Sequence, residues 1–281
     1  MLGRGTRSGR SDPCGGRWPV DVNDPSSRPG RLSDRVVIVT GAGQGVGEGI
    51  ARRLAQEAAT VIIAARRAST GEPVAEAIRA EGGEAHCIVT DVTTRASVEA
   101  CVAETVGRFG RLDVLVHNAF AGGVASRLES TPPEAWFQMS RTSAWGSFWC
   151  AQAAYPHLVA SDQGRLILIT SPSGVEGSAN IPLYSPAKAA QRAMAKSLAR
   201  EWGPDGITVN CIAPVADTPA LAGAFQQVPT LRGAIEARTP LGRIGDPTTD
   251  IGGVALFLAS ADAAYVSGQT IVCDGGSFLG L

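Results

Sequence analysis

Beyond about residue 34 the chain alternates short aliphatic runs with longer segments of mixed polarity. Val36, Val37, Ile38 and Val39 are apolar at consecutive positions rather than at every second one, the pattern of a strand buried on both faces. Comparable runs recur at residues 61–65, 86–89, 114–116, 166–169, 208–212 and 270–272, and segments of helical length separate them. Strand–helix alternation with buried strands predicts one α/β domain, a parallel sheet covered by helices on both faces and joined by right-handed crossovers. Residues 1–33 break this rhythm. They are rich in Gly, Arg, Ser, Pro and Asp, with isolated apolar residues such as Trp18 and Val20, and cannot bury enough surface to offset their ordering entropy. They are expected to be a disordered extension preceding a domain over 34–281. Asp12, Asp21 and Asp24 argue against an Arg-rich organelle transit peptide.

Composition narrows the function classes. The 281 residues carry a net charge of −1, which gives no push towards nucleic acid or an anionic membrane. No apolar run approaches the ~18 residues of a membrane span. Cys14, Cys87, Cys101, Cys150, Cys211 and Cys273 are scattered without a C-x-x-C pair, and no metal site is expected. Most lie in apolar segments and read as buried thiols of a cytoplasmic protein. His86, His117 and His157 read as structural.

Three stretches carry chemistry. The first strand runs into Thr40-Gly41-Ala42-Gly43-Gln44-Gly45-Val46-Gly47 and then a helix. A glycine turn in that place lets backbone approach a pyrophosphate and aims helix N-terminal amides at it. A tight turn with no ligand is the plainer alternative. The second strand ends in Arg66-Arg67, with no carboxylate to accept from a ribose 2′-hydroxyl. Two guanidiniums there suit a 2′-phosphate, so NADP(H) is favoured over NAD(H). Finally, Tyr184 and Lys188 lie one helical turn apart at the start of an Ala-rich run, and Ser171 ends an apolar strand ahead of them. A nearby ammonium favours the phenolate and would lower the Tyr184 pKa towards useful proton transfer, to or from an alcohol or ketone oxygen.

With these motifs in order, residues 35–276 resemble the short-chain dehydrogenase/reductase family. The loop from Thr40 to Gly47 looks like its cofactor loop, Asp91-Val92 like its adenine-side element, and Asn118-Ala119 like the start of its N-A-G element. The resemblance implies a Rossmann-type, doubly wound, parallel seven-stranded sheet and a nicotinamide cofactor. It implies Tyr184 as acid/base, Ser171 as the group that polarises the carbonyl, and Lys188 as the group that holds the nicotinamide ribose and lowers the phenol's pKa. Its cofactor contacts map onto Gly41, Gln44, Gly45, Val46, Gly47, Arg66, Arg67, Asp91, Val92, Asn118, Ala119, Tyr184, Lys188, Pro214 and Thr218. Three positions depart from the family pattern. Ser143 stands where a catalytic Asn of the proton relay is expected, Phe120 replaces the glycine of N-A-G, and Val215 follows Pro214 where glycine is usual. Residues 216–246 are expected to form a substrate lid, whose Leu221, Phe225, Val228, Leu231 and Ile235 suit a largely hydrophobic small molecule. A ketone or secondary alcohol is the expected substrate, a 3-oxoacyl thioester being one candidate, and a homotetramer or homodimer the expected assembly. A cofactor-binding regulator or scaffold with weak catalysis, and a repurposed isomerase or dehydratase, are the alternatives.

Overall fold

A computed structural model describes residues 30–121, 127–179 and 181–278. Seven strands run through the middle of the molecule: β1 (Val36–Thr40), β2 (Thr60–Ala65), β3 (Glu84–Val89), β4 (Val114–His117), β5 (Arg165–Ile169), β6 (Thr208–Pro214) and β7 (Thr270–Cys273). All pairs are parallel, and the spatial order is β3-β2-β1-β4-β5-β6-β7. The helices are α1 (Gly45–Ala55), α2 (Ala68–Ala80), α3 (Arg95–Phe109), α4 (Pro133–Ser140), α5 (Gly146–Ala160), α6 (Ser173–Glu176), α7 (Tyr184–Glu201), α8 (Pro219–Gln227), α9 (Leu231–Arg238) and α10 (Gly252–Ala259). The parallel sheet expected from the strand runs, in the Rossmann-type, doubly wound, seven-stranded form that the family resemblance implied, is the fold observed.

Both faces of the central strands β1, β4 and β5 are dry, for the reason the unbroken apolar runs implied. Successive residues of a strand point to opposite sides. Val37, Val39, Val61 and Ile63 pack with Ile50 and Leu54 of α1 and Leu256 of α10. The intervening Ile38, Ile62 and Leu115 pack with Val102 of α3 and Ala154 and Leu158 of α5. A strand with one polar face would leave one of these helix layers without a floor.

The chain winds outward from β1 to β3, then returns to begin again at β4 on the other side of β1. Connections therefore leave β1 and β4 in opposite directions and open a crevice beyond their carboxyl ends, where α/β sheets bind ligands. The opposite, amino end of the same two strands is closed by Asp113. This fully buried carboxylate accepts from the Val36 amide at 2.9 Å, from Arg111 at 2.7 and 2.8 Å, from Arg35 at 3.2 Å and from the Ser161 hydroxyl at 2.6 Å.

The fold begins earlier than residue 34. Gly30–Ser33 make a turn, the Leu32 amide donates to the Glu57 carbonyl at 2.9 Å, and the Leu32 side chain is buried against Ile50 and Leu54. A single leucine inside a polar stretch has no periodic neighbours to mark it as core. The remainder of the expected disordered extension, residues 1–29, lies outside the described residues, as does Cys14.

Burial alone would raise the Asp113 pKa, but Arg111, Ser161 and the Val36 amide outweigh it and hold the carboxyl below its ordinary value. A depressed carboxyl contributes stability above its unfolded pKa of roughly 3.9, and that contribution is lost as pH falls through the lower folded value. Asp113→Ala is expected to cost about 3 kcal/mol near neutrality by leaving its partners uncompensated. Urea titrations of both proteins at falling pH should show the gap closing below pH ~4.

Candidate active site

The crevice beyond β1 and β4 holds a cleft of about 340 Å3. The turn after β1 forms one wall, through Gly41, Gly43, Gln44, Gly45 and Val46. Gly41 and Gly45 have φ of 66° and 62°, a left-handed backbone that favours glycine. A Cβ on Gly41 would also lie 2.7 Å from the Ala119 Cα. Behind this wall α1 begins without a side-chain cap, so its first amides face the cleft. Gly47 is not among the lining residues of the cleft. It is buried beneath the turn, where a Cβ would meet the Asn118 Nδ2 at 2.4 Å and the Gly41 carbonyl at 2.6 Å, so its role is close packing.

The second wall comes from the ends of β2 and β3. Arg66 and Arg67 line it with exposed side chains that have no carboxylate partner among the described residues. Asp91 and Val92 face them. The Asp91 Oδ1 accepts from the Thr93 amide and hydroxyl at 2.9 and 2.8 Å, which shapes the loop after β3. Thr218, Pro219 and Ala220 close the cleft from the far side, and the Thr218 hydroxyl accepts the Leu221 amide at 3.2 Å to cap α8. Pro214 ends β6 and is not part of the cleft wall. Thr70, Thr90, Thr93 and Thr142 also line the cleft; nothing in their local sequence separates these small hydroxyls from ordinary helix and loop positions.

Between the walls, the ends of β1 and β4 are pinned together. The Asn118 Nδ2 donates to the carbonyls of Thr40 and Gly41 at 3.0 and 3.1 Å, and the amides of Asn118 and Ala119 both donate to the Thr40 hydroxyl at 3.1 Å. His117 completes this knot from below. Its Nε2 donates to the Thr142 carbonyl at 3.1 Å, which leaves Nδ1 to accept from Thr40 Oγ1, also at 3.1 Å. Complete burial, aided by the nearby Lys188 charge, pushes His117 down to about 3 and keeps it neutral. It is structural, as expected, but it stands directly under the site.

Ser171, Tyr184 and Lys188 come together where β5 ends and α7 begins. Lys188 is buried, and its Nζ donates to the Ile169 carbonyl at 2.8 Å. The four-residue α6 lies close on α7 because Gly174 has no side chain; a Cβ there would stand 2.9 Å from that of Lys188. Ser171 Oγ accepts the Ser173 amide at 3.2 Å. Burial pushes the Tyr184 phenol above its ordinary value, while the Ser171 hydroxyl works the other way. The lowering expected from Lys188 is therefore not what prevails here; desolvation wins, and the phenol is protonated at neutral pH.

Ser143 is fully buried in a π-helical turn, Arg141–Trp145, between α4 and α5. Its hydroxyl donates to the Met139 carbonyl of its own helix at 2.5 Å. That bond occupies the hydroxyl's only proton and directs it back along its own helix. Its neighbour Thr142, whose hydroxyl exchanges hydrogen bonds with the Ala121 backbone at 3.2 and 3.3 Å, is the member of this turn that reaches the cleft. Phe120 stands between the cleft and the trio: its ring meets Tyr184 edge-on at 5.0 Å between centroids, and the Lys188 ammonium lies 4.9 Å from its centre.

The family model described as Enoyl-(Acyl carrier protein) reductase matches residues 41–277. The chain belongs to the short-chain dehydrogenase/reductase family. The cis-4-hydroxycyclohexanecarboxylate dehydrogenase of Sinomonas cyclohexanicum is 36% identical over 246 residues, covering 87% of this chain and 97% of that protein. The 3-oxoacyl-[acyl-carrier-protein] reductase FabG of Staphylococcus aureus is 35% identical over 245 residues, covering 86% and 97%. A solved structure of gluconate 5-dehydrogenase from Burkholderia cenocepacia J2315, in complex with NADP and tartrate, superposes with a TM-score of 0.82 at 34% identity, over 88% of this chain and 96% of that one. As a short-chain dehydrogenase/reductase the protein is an NAD(P)-dependent oxidoreductase acting on CH–OH and C=O groups. Among the described residues no helix is long and apolar enough to cross a membrane.

Burial pulls the Lys188 amine down to about 7, against roughly 10.4 in an unfolded chain. Below the folded value both states are protonated and the fold carries the full cost of a buried charge. Between the two values the unfolded chain binds more protons, so stability rises with pH. Lys188→Met is therefore expected to raise the Tm by several degrees below pH ~7, with the gain shrinking as pH climbs towards ~10. Thermal melts across that range check it; a gain independent of pH would mean that the ammonium is solvated.

Proposed function

We propose that this chain is an NADP(H)-dependent carbonyl reductase or alcohol dehydrogenase of a largely hydrophobic ketone or secondary alcohol. The observation that carries this reading is the gathering of Ser171, Tyr184 and Lys188 beside a glycine-walled cleft whose outer end holds two guanidiniums without a carboxylate partner among the described residues. The residues present fit a dinucleotide. Bare backbone at Gly41 and Gly45 and the uncapped start of α1 suit a pyrophosphate, and Arg66 and Arg67 suit a 2′-phosphate through paired charge-assisted bonds. The bound nicotinamide supplies or accepts the hydride.

This chain's own side chains do the rest. The protonated Tyr184 phenol donates its proton to the carbonyl oxygen in reduction and regains it from the alcohol in oxidation. Ser171 donates a hydrogen bond to the same oxygen and draws charge onto it. The Lys188 ammonium, at 5.7 Å from the centre of the Tyr184 ring, favours the phenolate left behind once the proton has gone. Burial against α6 and Phe120 keeps competing water from all three.

Apolar residues on α8 and α9 support a hydrophobic substrate: neither helix buries a residue completely in the described fold, so Leu221, Phe225 and Ile235 remain accessible to one. Pairing into a homodimer or homotetramer is supported by the surface of α4, the π turn and α5, which exposes Trp136, Phe137, Trp145 and Phe148 together.

Two measurements test the reading. Tyr184→Phe should lower kcat for ketone reduction by about 10²–10⁴-fold while leaving NADPH affinity nearly unchanged; undiminished turnover would remove Tyr184 from the chemistry. Calorimetric titration should show NADPH binding more tightly than NADH, with the preference reduced about tenfold or more in Arg66→Ala, since charge-assisted bonds of this kind contribute roughly 1.5–3 kcal/mol. Equal binding of the two cofactors would mean that the guanidiniums stay in water.

A further inference from the structure

Among the described residues, the lining of the cleft that suits the dinucleotide ends at Phe120, Ala121 and Thr142 and includes none of Ser171, Tyr184 and Lys188. Among the described residues, Phe120 is the one that both lines the cleft and touches the trio. The ring lies edge-on to Tyr184, 5.0 Å between centroids at 81°, and its face is covered by the Lys188 ammonium at 4.9 Å. Among the described residues Lys188 thus has one polar partner, the Ile169 carbonyl at 2.8 Å, and two aromatic faces, Phe120 and Tyr184. For a buried ammonium a ring face is a real source of attraction. Nothing about Phe120 is incidental to the site.

A hydride donor must come within about 3–3.5 Å of a carbonyl carbon whose oxygen is held by Tyr184. That volume adjoins the phenol, against which the Phe120 ring already lies edge-on. Protein interiors do not hold two rings in one place. We propose that Phe120 is a resident plug of the catalytic end, which the nicotinamide half of a bound dinucleotide has to displace, uncovering Lys188 as it does so. The adenosine half enters an open cleft and needs no such displacement.

The cost of the plug falls on one half of the ligand alone. If the ring is turned aside in only a fraction of molecules, the apparent affinity for the whole dinucleotide is reduced by that fraction, while a ligand lacking the nicotinamide is unaffected. A contact that joins one edge-on aromatic pair to one partly desolvated cation–π pair corresponds to a reduction of about tenfold. This assignment rests on the proposed dinucleotide site, and the two can fail separately.

The test compares two probes by calorimetry: NADP+ and 2′-phospho-ADP-ribose, which is the same molecule without its nicotinamide. The wild type is expected to bind 2′-phospho-ADP-ribose at least as tightly as NADP+. Phe120→Ala is expected to tighten NADP+ about tenfold and leave 2′-phospho-ADP-ribose unchanged. Phe120→Leu, which keeps bulk but removes the ring face from Lys188, preserves the core if the alanine variant does not fold and should show a smaller gain of the same kind. Equal changes for both probes, weaker NADP+ binding in the folded variants, or no change would overturn the plug while leaving the dinucleotide site intact. Failure of 2′-phospho-ADP-ribose to bind any form would instead remove the dinucleotide site, and the plug with it.

Discussion

Thr40 is where this structure is decided. Its hydroxyl takes the amides of Asn118 and Ala119 and gives its own proton to His117, while its carbonyl and that of Gly41 share the Asn118 side chain. These bonds tie the end of β1 to the end of β4 across the point where the chain reverses its winding. Each partner is buried or half-buried, so the knot has little water to compete with it. It sets the height of the glycine turn above the sheet and the place at which the loop after β4 departs. The close approach of Gly47 and Gly41 to Asn118 and Ala119 follows from it.

The same knot reaches the π turn through His117. A helix running straight from α4 into α5 would have no surplus carbonyl to give; the extra residue of the π turn offers the Thr142 carbonyl to His117 and swings the Thr142 hydroxyl to Ala121. Polar groups are thus concentrated at the carboxyl end of the central strands, and neutrality of His117 is what makes their burial affordable beside Lys188. The amino end has a different economy: there Asp113 keeps its charge, because two guanidiniums, a hydroxyl and an amide surround it.

The sheet was readable in advance because a strand covered on both faces is largely apolar, as the run at Val36–Val39 is, and six further apolar-rich runs recur between helical segments. The glycine turn, the arginine pair and the Tyr184–Lys188 spacing were readable because each is a local arrangement of residue types. Other features are not local. Leu32 looks like any residue of a polar leader until Ile50 and Leu54 are seen beside it. Thr142 and Ser143 are adjacent, and only the π turn determines which of the two hydroxyls faces the cleft. The expected lowering of the Tyr184 pKa depended on a charge at i+4, whereas the outcome depends on how much water the surrounding elements exclude. Phe120 was visible as a bulky residue near the nicotinamide end, but its contact with Lys188 belongs to the tertiary fold.

The helices α8 and α9 hold no completely buried residue, and their strongest polar ties are surface ones such as Arg232 with Asp217 at 2.7 Å. An element with so little interior surface opens at a fraction of the free energy needed to unfold the sheet. Its amides would exchange with solvent long before those of β1 or β4. The segment can therefore be rewritten in sequence, or loosened to let a product leave, while the knot at Thr40 keeps its shape.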